Sequence, residues 1–296
     1  MAKTTFADLF ESEAVILADG GMGTMLMAAG LQPGDSPELW NVEHADEVRS
    51  IHRGYLAAGA QIILTNTFGG NQRRLMHRQL ERRAVELNQA AAVLARAEVD
   101  ALDRRVVVGG SIGPTGVLMA PLGDLTYDEA AGIFEEQAGA LVAGGVDVLW
   151  VETMSDLQEL RAAVEGCRKV AADFPIVATM TFDSHGHTSM GVAPEAAVEA
   201  FGTMELLAFG GNCGNGPEEI EGVIESMHTL APEAVLIAKS NAGLPKMVDG
   251  QQVYDATPEV MAEHARRVRD LGARIIGACC GSTPAHIQAM GQALKG

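Results

Sequence analysis

Eight apolar runs, each leading into Gly, Asn, Asp, Ser, Thr or Cys and each followed by a stretch of helical spacing, constrain this chain more than any other feature. They are AVILADG (14–20), QIILTNT (61–67), RVVVGGS (105–111), VDVLWVET (146–153), PIVATMTF (175–182), LLAFGGNC (206–213), AVLIAKSN (234–241) and ARIIGACC (273–280). Intervening stretches such as DEVRSIHRGYLAAG (46–59), YDEAAGIFEEQAGALVAGG (127–145) and PEVMAEHARRVRDLG (258–272) have apolar residues at helical spacing and a glycine near the stop. Strand then helix, eight times over, predicts an α/β fold, a single (β/α)8 TIM barrel. Val, Ile and Leu fill the runs without alternation, as parallel strands buried on both faces require. A doubly wound open sheet is the alternative made from the same units. No Pro- or Ser-rich stretch or charge run marks a linker, so residues 1–296 are read as one barrel domain.

With 47% hydrophobic residues and 34 glycines, the chain can fill a large core and turn tightly between strand and helix. Its formal charge of -18, from 21 basic against 39 acidic residues, sets it against phosphate backbones and anionic membranes. Neither nucleic acid nor a membrane is expected as a partner. The N-terminus MAKTTFADLFESEA lacks the basic-then-apolar order of a signal peptide, and no apolar run reaches the roughly 18 residues of a membrane span. A cytoplasmic location is expected, where four cysteines do not make a disulfide framework and clustered cysteines point to a metal.

In a barrel the strand C-termini converge on one face and carry the chemistry. The polar ends here are Asp19, Asn66–Thr67, Ser111, Glu152, Asp183, Asn212–Cys213, Asn241 and Cys279–Cys280. Cys213 closes the sixth run and the Cys279–Cys280 pair the eighth, so three sulfurs distant in sequence can meet around one ion. Neighbouring strand residues face opposite sides, so both members of the pair reach that ion only if the chain bends, which Gly277 and Gly281 permit. Three thiolates leave tetrahedral zinc an open position, the arrangement of a catalytic site. Zn2+ with three thiolates carries a single net negative charge. That makes it a poor activator of water and a good holder of an incoming thiolate, so alkylation of a thiol is the natural reaction. The competing readings are buried cysteines acting as small hydrophobes, which we adopt for Cys167 in ELRAAVEGCRKV, and a strained vicinal disulfide.

The segments DGGMGT (19–24), GAQIILTNTFGGN (59–71), GSIGPTG (110–116), VLWVET (148–153), GGNCGNGPEEI (210–220), SNAG (240–243) and GACCGSTPAHI (277–287) resemble the homocysteine S-methyltransferase family over nearly the whole chain. The combination of NCG with GACCG is the specific part of that likeness. The resemblance implies methyl transfer to homocysteine to give methionine, Zn2+ on Cys213, Cys279 and Cys280, and Asp19 and Glu152 as receivers of the substrate's amino group. The backbone N–H groups of Gly20 and Gly21 then hold its carboxylate. Asn212 and Asn241 orient the site or serve as turn residues, and Ser111, Thr67 and Asn66 are further polar candidates. Against this, Asp19 could cap a helix and Glu152 could sit in a structural ion pair.

Betaine recognition needs aromatic faces around a quaternary ammonium. This chain has two Trp and three Tyr, and Thr67–Phe68 is followed by Gly69 where the betaine enzymes carry tyrosine. NTFGGN, IGPTG and SNAG lean toward the module of cobalamin-dependent methionine synthase, so a methylcorrinoid protein is the first-choice donor. The chain ends soon after TPAHIQAMGQAL (283–294), which puts the corrinoid on a separate protein. Betaine and S-methylmethionine are the alternative donors. His185 and His187, in the loop DSHGHTSMG (183–191), are read as solvent-facing, and MGTMLM (22–27) as core packing. Two rivals of other classes remain: a metal-dependent hydrolase, which would want histidines at strand ends, and a non-catalytic subunit presenting homocysteine or zinc to a partner.

Overall fold

Successive strand residues of the chain sort into two separate cores, as a period of two demands when both faces of a strand are buried. In the computed structural model, which describes residues 5–244, 246–248 and 251–295, Ile16, Ile62, Leu64, Val107, Val148, Trp150, Val177, Ile237 and Ile275 form one cluster inside the sheet. Their neighbours Leu17, Ile63, Val108, Leu149, Ile176, Leu236 and Ile276 belong to a larger cluster shared with the surrounding helices.

The strands are β1 (Ile16–Leu17), β2 (Ile62–Leu64), β3 (Val107–Ile112), β4 (Val148–Met154), β5 (Ile176–Met180), β6 (Ala208–Cys213), β7 (Leu236–Ser240), β8 (Lys246–Val248), β9 (Gln251–Val253) and β10 (Ala273–Ala278). One sheet runs β1-β10-β7-β6-β5-β4-β3-β2 with parallel pairings throughout. A parallel bridge between Ala18 and Ile62 joins its two ends, supported by Gln61 N–H donating to Leu17 O at 2.7 Å and Asp19 N–H to Ile62 O at 3.0 Å. The sheet is therefore a nearly closed (β/α)8 barrel, not an open doubly wound sheet. Each of the eight expected runs supplies one of its strands.

The three stretches singled out for helical spacing form helices Ala45–Ala57, Tyr127–Ala143 and Pro258–Asp270. Thr126 starts the second through a capping box with Glu129. Two elements outside the strand-then-helix repeat bear on the barrel ends. The helix Phe6–Ser12 lays Phe6 and Leu9 into the inner cluster and is tied by Arg274 to Phe10 O and Glu13 O, and by Arg105 to Asp8 O. Arg105 and Arg274 stand at the start of β3 and β10, so this helix closes the end of the barrel opposite the strand C-termini. The second is the antiparallel β8–β9 hairpin, inserted after β7. Among the described residues, no helix is long and apolar enough to cross a membrane.

His52, within Ala45–Ala57, is fully buried and neither ring nitrogen has a hydrogen-bond partner. Desolvation lowers its pKa from 6.5 to about 4. The unfolded chain therefore takes up a proton that the folded protein refuses, so stability is full above the unfolded pKa and falls as pH drops toward the folded one. Urea unfolding at about pH 7 and about pH 4.5 should show the wild type losing roughly 2–3 kcal/mol more than His52→Leu over that interval. Equal losses in the two proteins would show that His52 does not govern the acid limb.

Candidate functional site

Only β7 separates β6 from β10 in the sheet, and this brings the two cysteine-bearing strand ends together. Cys213 is in register with Ser240, whose carbonyl accepts the Cys279 N–H at 2.8 Å. The sulfurs of Cys213, Cys279 and Cys280 all lie within 4.8 Å of one another, with Cys213 Sγ 3.0 Å from Cys279 Sγ. All three are free thiols, so the vicinal pair is not a disulfide. Tetrahedral zinc with Zn–S near 2.3 Å separates its sulfurs by roughly 3.8 Å, so this donor set fits the ion with sub-ångström adjustment.

The expected bend is present, but the two flanking glycines divide the work. Gly281, at φ +82°, supplies the left-handed turn after the pair. Gly277 instead allows close approach of β1: a Cβ there would lie 2.9 Å from both Ala18 Cβ and Asp19 O. Cys213 is itself at φ +60°, uncommon for a side-chain-bearing residue and held there by its neighbours.

Those neighbours include Asn212, which is fully buried and whose amide is spent inside the protein. Its Oδ1 accepts from Thr153 N–H at 2.9 Å and Thr179 Oγ1 at 2.7 Å, while Nδ2 donates to Thr153 Oγ1 at 2.7 Å and Cys213 Sγ at 3.3 Å. Asn241 is the corresponding tie on the other side: Nδ2 donates to Gly214 O at 2.8 Å, and Oδ1 accepts the Cys280 N–H at 3.0 Å. One side chain thus links the loop after Cys213 to the loop holding Cys280. Both asparagines hold the cysteines in place.

Beside the sulfurs lies a buried charged group. Lys239 Nζ donates to Asp19 Oδ1 at 2.7 Å, and Leu64 N–H to Asp19 Oδ2 at 2.7 Å. Ser111 Oγ donates to Glu152 Oε1, and Thr67 Oγ1 donates to Ser111 O at 2.7 Å. Thr67 supports Ser111 from behind, whereas Asn66 turns away to Pro37 O and Asn41. Desolvation raises the Glu152 carboxyl to about 7, and the Lys239 charge opposes that rise. Asp19 is likewise raised by desolvation and held back by Lys239.

Gly20 and Gly21 have a packing role that the sequence did not disclose. A Cβ at Gly20 would meet Ser282 Oγ at 2.4 Å, and one at Gly21 would meet Cys279 O at 2.6 Å. Gly21 N–H donates to Ser282 Oγ at 3.0 Å, so that amide is occupied within the protein rather than free for a carboxylate. Asp183, His185 and His187 are exposed, and Cys167 is fully buried with its thiol raised to about 12 by desolvation. In MGTMLM, Leu26 is core, Met22 and Met25 pack against it, and Met27 is exposed.

A partly buried cluster of three thiols at two strand ends of a parallel barrel is a narrow pattern. The sequence profile of the homocysteine S-methyltransferase family matches residues 16–294. The chain belongs to the homocysteine S-methyltransferase family. It is 34% identical to methionine synthase of Mycobacterium tuberculosis and 33% identical to that of Mycobacterium leprae, over 96% and 97% of its own length, and it spans 25% of each of those proteins. Solved structures of the homocysteine methyltransferase MmuM from Escherichia coli are similar. The metallated form has a TM-score of 0.80 at 25% identity, covering 95% of this chain and 97% of that one. The oxidised form has a TM-score of 0.76 at 26% identity, covering 96% and 97%.

Sequence reasoning passed over two residues of the site. Lys239 occupies an inward position two after Ile237, and a lysine there could have been recognised as needing a buried carboxylate. Tyr254 follows the β8–β9 hairpin and has no strand-end signal. Its ring packs on Gly281, where a Cβ would fall 2.1 Å from Tyr254 Cγ, and its side chain interacts with Cys280. Hydrogen bonds from Cys213 and Cys279, with Tyr254 adding to them, hold the Cys280 thiol well below the ordinary cysteine range. Cys213 is pushed the other way, chiefly by its hydrogen bond to Cys279.

Competition for Zn2+ against a chromogenic chelator tests the centre. Cys280→Ser should weaken zinc binding at least about 100-fold and Asn241→Ala about 10–100-fold, while Cys167→Ser leaves it unchanged. Wild-type affinity in Cys280→Ser would remove the metal assignment.

Proposed function

We propose that this chain transfers a methyl group to the thiol of homocysteine, giving methionine. The convergence of Cys213, Cys279 and Cys280 beside the buried carboxylates Asp19 and Glu152 carries this reading. The three cysteines would hold Zn2+, which when bound supplies ionisation of a substrate thiol whose free pKa is about 8.5. Glu152, fixed by Ser111, receives the substrate ammonium in a desolvated pocket where such a pair is much stronger than in water. Asn212 and Asn241 keep the sulfurs converged, so the substrate thiolate is presented in one orientation to the methyl carbon. The sulfur forms its new bond to that carbon as the donor's bond to it breaks.

For the donor we propose a methylcorrinoid. The likeness to methionine synthases supports this, as do the positions of the aromatic residues. Trp150 lies inside the barrel beneath Lys239, Trp40 stacks on His44 at 4.3 Å, and the Phe68 face is covered by Arg74 at 5.2 Å. Each ring is engaged within the protein, which leaves these faces unsuited to caging betaine.

Zinc-loaded protein and homocysteine, supplied separately with methylcobalamin, betaine or S-methylmethionine, should yield methionine with methylcobalamin. Turnover with S-methylmethionine or betaine, and none with methylcobalamin or a methylcorrinoid protein, would overturn the donor assignment. Because Glu152 must be ionised to receive an ammonium, the KM for homocysteine should fall as pH rises through about 7. Glu152→Gln should raise KM at least about 10-fold and abolish that dependence. An unchanged profile in Glu152→Gln would exclude Glu152 as the receiver.

A further inference from the structure

Lys239 is a cation already buried where a second one, the substrate's ammonium, is to be received. Its side chain and that of Asp19 are each 3% exposed, and Lys239 Nζ lies 5.6 Å above the Trp150 ring. Asp19 has a partner on each oxygen, Lys239 on Oδ1 and Leu64 N–H on Oδ2. Glu152 is held by the Ser111 hydroxyl at Oε1. Lys239 interacts electrostatically with both Asp19 and Glu152, so these three groups form one charged set. Two carboxylates and one lysine leave a single negative charge, which matches one ammonium.

Resting on the reading of homocysteine as substrate, we propose that Asp19 and Lys239 form a permanent internal pair that sets the charge of the pocket, and that Glu152 alone takes the substrate's ammonium. Asp19 is then a positioning residue that acts through Lys239. Without the Asp19 charge, Lys239 turns its field on Glu152, the pocket becomes neutral, and an incoming ammonium meets a cation. Removing the Lys239 charge as well returns the pocket to a single negative charge on Glu152. A direct contact between Asp19 and the ammonium has the opposite consequence, because removing Lys239 cannot restore a lost contact.

Calorimetric titration of zinc-loaded wild type, Asp19→Asn and the double variant Asp19→Asn/Lys239→Met decides between these. The probes are homocysteine and 4-mercaptobutanoate, which keeps the thiol and carboxylate but lacks the amino group. Asp19→Asn should bind homocysteine at least about 10-fold more weakly than wild type, and the double variant should recover to within about 3-fold. The analogue should bind all three proteins alike. The double variant replaces a buried ion pair by neutral side chains of similar size, a change that folded proteins commonly tolerate. Asp19→Asn/Lys239→Gln is the equivalent if the first version fails to fold. A double variant as weak as Asp19→Asn, with wild type binding normally, overturns the proposal. A wild type that does not bind homocysteine instead overturns the functional reading beneath it.

Discussion

The register of β7 between β6 and β10 is the constraint on which the site depends. Ser240 aligns with Cys213 on one side and accepts the Cys279 N–H on the other, and Asn241 then reaches both cysteine-bearing loops. A slip of one residue would turn every side chain of β7 to the opposite face. Lys239 would leave the barrel interior for the helix layer, Asp19 would be left buried without its cation, and Ser240 would lose its hydrogen bond to His264 in the outer layer. The paired sulfurs and the paired charges are thus fixed by one strand alignment.

That alignment lets an apolar barrel tolerate charge at its C-terminal end. Ile237 and Trp150 fill the interior below, and in so poor a dielectric a lone lysine or carboxylate would be far from its preferred state. Lys239 and Asp19 offset each other, and the hydroxyl and amide donors around them satisfy much of what remains. Desolvation pushes the Glu152 carboxyl up to about 7, so it titrates near neutral pH. The sulfur cluster obeys the same economy: the two neighbouring thiols and the Tyr254 side chain hold the Cys280 thiol well below the ordinary cysteine range.

Much of this was legible in the residues because it follows from short-range rules. The apolar runs had to be strands buried on both faces, and their number and alternation with helices left few architectures. Cys213, Cys279 and Cys280 at two strand ends announced a convergent sulfur site, since parallel strands bring their C-termini to one face. The helix Phe6–Ser12 went unseen because seven residues carry too little periodicity to separate a helix from an apolar turn. Gly277, Gly20 and Gly21 looked like turn or ligand-binding residues, yet their role is close backbone approach to segments distant in sequence.

The sequence by itself determined the barrel and the set of cysteines that converge, because hydrophobic periodicity and thiol chemistry are properties of residues and their spacing. Only the tertiary structure decided how the charges are shared. Whether Asp19 faces a substrate or Lys239, whether an asparagine touches a ligand or holds a sulfur, and whether Tyr254 reaches Cys280 all depend on distances between strands remote in the chain. Electrostatic and hydrogen-bond energies change over a few ångströms, a scale on which sequence order carries no information.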